Sequence, residues 1–343
     1  MSFDAFRGIA IIAVVGIHAS AFSLRQHSST SEWNLPVVAY QQLLNFAVPA
    51  FIFISGYWLS KKPIESLEGY KEFLTRRLSR VLVPYFLWSF VYIAYGAVVT
   101  HKIDAGEILI TLLTGRAPGV NYYWFIVLIV QFYIITPFLQ HLNRRRYGLL
   151  FVIILNVLAL IFRYVSRLHL NWSIPSMGLF YSWLVFFQIG LLAGTSDNIT
   201  FNLRRLRFFI IPAIAVFLLA SQLEAIILLS SYGDLYVAVS PVKFSSFFYS
   251  ISLILGFLFV RERFENWPKL LTTIGRYSFG IYLVHISILK QAIKFFQNFS
   301  VINSFQPLYQ LTLVVVTTAI CLVLIGATRK LLPKTFCVKI LGF

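Results

Sequence analysis

The amino-acid sequence predicts an all-α integral membrane protein of about ten transmembrane helices with both termini cytoplasmic, and three observations carry the prediction. First, 59% of its 343 residues are hydrophobic and 17% aromatic, with only 12% charged, a mixture too apolar for a chain whose surface must face water. Second, apolar runs of roughly 17–25 residues, each long enough to cross a hydrocarbon core of about 30 Å as a helix, recur along the whole length. Third, the basic residues cluster in alternate connections between those runs. A transmembrane β-barrel is excluded, because its strands would alternate in polarity every second residue and these runs do not.

In chain order the predicted spans cover about 3–23, 37–59, 81–100, 122–140, 148–163, 176–194, 208–229, 243–260, 275–296 and 308–328. With the N-terminus cytoplasmic, the inner segments hold 21 of the 29 Lys and Arg, among them Arg7, Lys61, Lys62, Arg76, Arg77, Arg80, Arg144 to Arg146, and Arg329. That bias satisfies the positive-inside rule. The net charge of +17 therefore reflects membrane orientation, and no nucleic-acid partner is expected. The "ASAF" after the first run mimics a secretory cleavage site, but Asp4 spoils the basic flank and nine further spans follow, so the segment is read as retained.

No linker, repeat or low-complexity tract divides the chain, so residues 1–343 read as one polytopic domain. The longest inner connection, "KKPIESLEGYKEFLTRRLSR", sets Ile64, Leu67, Tyr70, Phe73 and Leu74 at helical spacing between basic residues, the pattern of a helix lying in the interface. Cys321 and Cys337 are too few for a disulfide framework.

Ionisable residues within this apolar background carry the functional signal. In "RGIAIIAVVGIH", Arg7 and His18 are eleven residues apart, three helical turns plus about 20°, so they share a helix face about 16 Å apart along the axis. Asp4 can pair with Arg7 at the helix start. Taken alone, Arg7 reads equally well as a membrane-edge anchor, and His18 as a neutral core histidine. An ionisable side chain at depth is nevertheless costly and usually faces a cavity or a pathway. Ser55, Gly56 and Tyr57 close the second span. Arg77 and Arg80 lie near the entrance to the third, where they could meet lipid headgroups or clamp a phosphate-bearing ligand. Tyr122, Tyr123 and Trp124 open the fourth span and Gln131 lies deeper in it, while Tyr282 and His285 lie together in the ninth.

In order and spacing these pieces resemble the membrane acyltransferase-3 family, polytopic enzymes that O-acylate sugars of surface polysaccharides, antigens and small glycosides. The matching residues are Asp4 to Arg7 with His18; Val48 to Phe51 through Ser55-Gly56-Tyr57; Arg77 to Arg80 before Pro84-Tyr85; Tyr123-Trp124-Phe125; and Ser278 through His285. Tyr123 stands where many relatives carry a histidine before the Trp.

The resemblance implies a membrane-bound O-acyltransferase, in a bacterial cytoplasmic membrane, that moves an acyl group, most often acetyl, from cytoplasmic acetyl-CoA to a hydroxyl of a glycan or polysaccharide acceptor. The family's arginine–histidine pair falls on Arg7 and His18, and its paired arginines on Arg77 and Arg80. No extracytoplasmic domain is fused to the chain, so it resembles the stand-alone members, and no metal is expected. His18 is then the general base, as an imidazole with an ordinary pKa of about 6.5 suits proton removal from a sugar hydroxyl. Arg7, Arg77 and Arg80, with Ser55, Gly56 and Tyr57, are placed on the acyl-CoA side; Tyr123, Trp124 and Gln131 on the acceptor side; His285 and Tyr282 as partners of the base or of the oxyanion. Ten spans with buried polar residues also suit a transporter or flippase for a lipid-linked glycan or amphiphile, although paired interrupted spans in related halves are not evident. A non-catalytic scaffold or sensor would leave activity in the cell unchanged on loss of His18 or Arg7.

Overall fold

The computed structural model describes residues 1–26, 34–101, 105–115, 122–170, 178–195, 199–261, 266–299 and 305–343, and all of their regular structure is helical. Among these residues, eight helical stretches are long and apolar enough to cross a membrane, and two shorter apolar helices, Leu184–Thr195 and Phe244–Val260, accompany them. Together they fall at the ten predicted positions. In a medium without water each backbone N–H and C=O must be satisfied within its own segment, which is why helices alone carry this chain.

The first helix, α1, covers Ser2–Gln26. The second predicted span is broken into α2, Asn34–Leu44, and α3, Ala47–Ser60. Pro49, in the first turn of α3, has no N–H for the Asn45 carbonyl four residues back, which interrupts the helical ladder there. The buried Asn45 amide donates to Gln42 Oε1 at 3.0 Å and Ser246 Oγ at 3.1 Å, partners that hold the turn in place.

The predicted interfacial helix and third span prove to be one helix. This is α4, Leu67–Thr100, started by Ser66, whose hydroxyl accepts the Gly69 N–H at 3.0 Å, and carrying Pro84 inside it. A Ser N-cap of this kind satisfies one of the otherwise orphaned first-turn donors. Next come α5, Ala105–Thr114, α6, Trp124–Asn143, and α7, Gly148–Tyr164. The sixth span is shorter than expected: α8 covers Leu184–Thr195 behind a 3₁₀ turn at Phe180–Ser182, and residues 176 and 177 lie outside the described residues.

The remaining helices are α9, Ile199–Tyr232; α10, Leu235–Ala238; α11, Phe244–Val260; α12, Lys269–Arg276; α13, Ser278–Phe296; and α14, Gln306–Leu331. The predicted ninth span, 275–296, thus bends at Tyr277 between α12 and α13.

Two glycine crossings set the register of the bundle. A Cβ on Gly275 would fall 1.7 Å from the Asp4 carbonyl oxygen, so α12 and α1 touch backbone to backbone. Gly56 and Gly190 play the same part between α3 and α8, where added Cβ atoms would lie 2.3 Å from Phe187 O and 2.2 Å from Phe53 O. Small residues at such contacts let helices approach closely where lipid provides no hydrophobic driving force. Helix α1 packs against α2, α3, α12, α13 and α14, which places its polar face in the interior.

Candidate active site

The α1–α12 crossing decides where the histidines go. His18 and His285 each stand ten residues beyond the crossing pair Gly8 and Gly275, on helices that run the same way. At 1.5 Å per residue that is about 15 Å of depth for both. Their ring centroids are 5.2 Å apart, and the His18 ring meets Tyr122 edge-on at 4.6 Å. His18 is half-buried and His285 fully buried.

The tautomer of His285 follows from its neighbours. Its Nδ1 lies 2.8 Å from the Tyr282 carbonyl oxygen and 3.1 Å from that of Ile281. Carbonyl oxygens only accept, so Nδ1 carries the proton and Nε2 of the neutral ring presents a lone pair. That Nε2 is buried and has no hydrogen-bond partner among the described residues. Buried polar atoms are nearly always paired, so an orphan beside a second imidazole marks a place where another donor is wanted.

Phenols brace this level of the bundle. Tyr282 donates to the Tyr122 carbonyl at 2.5 Å, Tyr123 donates to the Leu283 carbonyl at 2.6 Å, and Tyr92 donates to the same oxygen at 3.2 Å while accepting from Ser287 Oγ at 2.9 Å. Helices α4, α6 and α13 are therefore pinned around His285. Tyr92 and Ser287 were not singled out from the sequence. Only a tyrosine deep in an apolar run, at Tyr92, hinted at a role.

Toward the basic end, the guanidinium groups of Arg77, Arg7 and Arg80 all act electrostatically on the buried phenol of Tyr133, and Arg77 acts on Arg7 as well. Arg7 also pairs with Asp4 at 3.3 Å. The three arginines thus share one electrostatic neighbourhood, and Tyr133, absent from the sequence-based candidates, lies within it. Arg77 further lines a cavity of about 340 Å³ between the α3–α4 connection and the first turns of α4, together with Lys62, Ser66, Glu72 and Arg76.

Its wall is fixed by Gln140, which donates to the carbonyls of Leu59 at 2.9 Å and Lys62 at 3.1 Å and accepts the Ile64 N–H at 3.0 Å. Around the cavity Arg76 pairs with Glu72 at 3.0 Å and Glu65 with Arg144 at 3.6 Å. Lys62 and Arg77 are left as its cations outside any ion pair among the described residues. The volume falls within the range of small-ligand pockets.

The other candidates sit apart from the histidines. Gly56 is occupied by the crossing with α8. Ser55 is half-buried on the same helix. Tyr57 stacks on Phe3 at 4.2 Å and carries the Arg261 guanidinium over its ring at 5.3 Å. Trp124 stacks on Trp183 at 6.2 Å. The Gln131 side chain donates to the Gly178 carbonyl at 2.7 Å and accepts the Phe180 N–H at 3.2 Å, fastening the segment that leads into α8.

A many-helix apolar bundle with polar groups held at depth defines a multi-pass integral membrane protein. Residues 2–326 match the family described as an acyltransferase domain. A Bacillus subtilis (strain 168) protein named "Putative membrane-bound acyltransferase YfiQ" is 25% identical over 294 residues, covering 81% of this chain and 78% of that one. No solved structure matches. The chain belongs to the acyltransferase-3 family of membrane-bound acyltransferases, and its reaction is acyl transfer at the membrane.

Proposed function

We propose that the enzyme transfers an acetyl group from acetyl-CoA, entering at the basic end of the bundle from the cytoplasm, to a hydroxyl of a cell-surface or lipid-linked glycan, with His18 as general base. The observation that carries this reading is the His18–His285 ring pair, 5.2 Å apart at one depth, with three arginines nearer the basic end. In the reaction the neutral His18 imidazole takes the hydroxyl proton as the oxygen attacks the thioester carbonyl. The tetrahedral intermediate then expels the thiolate, which recovers the proton from the imidazolium. One C–O bond forms, one C–S bond breaks, and free coenzyme leaves.

His285 acts through His18: its open Nε2 accepts the N–H of the neighbouring ring and turns the other nitrogen toward the acceptor. Tyr282, bonded to Tyr122, keeps that pair in register. Arg77, Arg7 and Arg80 hold the coenzyme phosphates as charge-assisted partners, the nucleotide resting in the cavity that Arg77 lines with Lys62. The pantetheine arm then spans the ~16 Å between Arg7 and His18. Ser55 and Tyr57 border the donor path, and Trp124 the acceptor path. The name of the Bacillus relative, a membrane-bound acyltransferase, supports the reaction class.

The test is transfer of labelled acetyl from acetyl-CoA by protein in lipid nanodiscs to a panel of glycans. Wild type forms a hydroxyl ester; His18→Ala loses about 10²–10⁴-fold in kcat, the usual span for general base catalysis, while still binding coenzyme. Failure of the wild type to bind the coenzyme or to acylate any acceptor overturns the reading.

A further inference from the structure

The charged groups that acyl transfer leaves unused gather at the opposite end of the bundle, beyond the depth of His18. The last turn of α7 carries Arg163, only 7% exposed. Its Nη2 donates to Ser240 Oγ at 2.8 Å, whereas Nη1 is buried with no hydrogen-bond partner among the described residues.

The nearby carboxylates are committed elsewhere. Asp234 pairs with Arg167 at 2.6 Å and accepts the Val237 N–H at 3.1 Å. Burial pushes the Asp234 carboxyl up, but the hydrogen bonds from Arg167 and Val237 outweigh it and hold the group below its ordinary range, so it stays an anion tied to Arg167 at neutral pH. Glu224 accepts from the Tyr164 and Ser245 hydroxyls and from the Ser245 N–H at 2.9 Å, and lies 3.9 Å from the fully buried Lys243 ammonium. Arg167 with Asp234 and Lys243 with Glu224 thus form two ion pairs; the Asp234 charge also acts on Arg163, which has no ion-pair partner of its own among the described residues.

A guanidinium held out of water with one of its nitrogens unpaired is unfavourable, and ionisable groups so placed in membrane proteins mark functional sites by default. Tyr236, Tyr164, Asp234 and Tyr181 are the electrostatic neighbours of the Arg163 group. Tyr236 is 48% exposed, so the buried cation has an open aromatic rim. A succession of hydrogen bonds links this end to the helix that carries His18: Ser240 also accepts from Asn45, at 3.5 Å through its backbone carbonyl, and Asn45 sits at the α2–α3 break. Helix α2 is in turn bound to α1 by Ser20 donating to Gln41 at 3.2 Å, two residues past His18.

We infer that Arg163 is the anchor of an acceptor subsite, binding an anionic group of the molecule to be acylated, a carboxylate or a phosphate, while the tyrosine rim receives its sugar rings. Planar guanidinium groups suit both anions through paired N–H donors. The identity of the bound molecule as acceptor rests on the acyl-transfer reading; the requirement for an anion does not.

The experiment is equilibrium binding to protein in nanodiscs, with three probes: a uronic-acid oligosaccharide, its neutral methyl ester, and a polyprenyl phosphate. Wild type is expected to bind at least one anionic probe about tenfold or more tighter than the neutral ester, and the tighter anion identifies the source of the charge. Arg163→Gln removes the preference and Arg163→Lys retains part of it, with thermal unfolding confirming that each variant is folded. Equal binding of all three probes by wild type, or a preference that survives in folded Arg163→Gln, overturns the inference. Because the readout is binding, an intact anion preference without any acetyl transfer would sink the acyl-transfer reading and leave the subsite standing.

Discussion

The polar clusters around Lys243 and around the histidine pair are built on opposite rules. In the cluster around Lys243 the donors close on one another. The ammonium donates to Ser221 O at 2.8 Å, Ser221 Oγ at 2.5 Å and Ser245 Oγ at 3.3 Å, using all three of its protons. Gln42, at the same junction, donates to the carbonyls of Val38 and Ala238 and accepts from Asn45 and Ser221. At the histidine pair the fold instead stops one bond short, leaving His285 Nε2 buried and unanswered. The network is closed at Lys243, Gln42 and Ser221, with the Asn45 Oδ1 at its edge left without a partner among the described residues, and it fastens helices α2, α9 and α11 together. An open acceptor next to the half-buried His18 ring leaves that ring free to turn its N–H onto it during the proposed reaction, which a closed network would not allow.

The largest expected effect comes from opening the closed cluster. Lys243→Met strands Glu224 and the Ser221 acceptors, and breaking a buried pair by removing one partner typically costs about 3–5 kcal/mol. Thermal unfolding in detergent should show that loss, and Lys243→Met with Glu224→Gln should recover much of it because the stranded charge is gone. A single variant as stable as wild type would mean that the cluster fastens nothing.

At the open cluster the effect should move from stability to rate. His285→Leu nearly preserves volume and gives up one backbone hydrogen bond, a stability change of about 1 kcal/mol. The orienting acceptor for His18 disappears with it, and kcat should fall on the order of 100-fold, equivalent to about 2.7 kcal/mol. Steady-state kinetics with KM for acetyl-CoA unchanged would match; a normal kcat in a folded variant would remove His285 from the mechanism.

The contrast between the clusters also explains what the sequence could tell. The ten apolar runs were legible because span length is imposed by the bilayer, and Arg7 and His18 because a shared helix face follows from spacing alone. The break at Asn45 was legible only in part: Pro49, four residues on, removes the donor its carbonyl would need, but the partners of its amide, Ser246 and Ser240, lie about two hundred residues away. The interfacial helix and third span merged into α4 because nothing in residues 74–81 stops a helix once Ser66 has started one. Tyr123 drew attention through the motif, but its phenol is spent on Leu283, and it is the neighbouring Tyr122 whose ring meets His18. Adjacent residues at the start of a helix point in different directions, and which of them faces α1 is set by tertiary packing.

A smaller effect is expected at the cavity proposed for the donor. Lys62 lies at the mouth, outside any described ion pair, so Lys62→Gln should remove one charge-assisted contact to a phosphate, about 1.5 kcal/mol or roughly tenfold in KM for acetyl-CoA. With acetyl-pantetheine, which lacks the nucleotide, the variant and wild type should coincide. A KM that rises equally for both donors would place the nucleotide somewhere else.

The smallest effect, and the finest probe of the comparison, is Tyr282→Phe. The phenol donates a single hydrogen bond, to the Tyr122 carbonyl at 2.5 Å, and its ring lies 6.0 Å from that of His285. If Tyr282 belonged to a closed cluster, its removal would be felt as stability alone, about 1 kcal/mol for one neutral hydrogen bond. Since the same bond sets the position of Tyr122, whose ring abuts His18, part of that energy should appear in the transition state, lowering kcat by up to about fivefold. Measuring unfolding and kcat on the same preparation separates the two: a loss of stability at constant kcat assigns Tyr282 to the scaffold, and a loss in kcat larger than the stability change assigns it to the reaction.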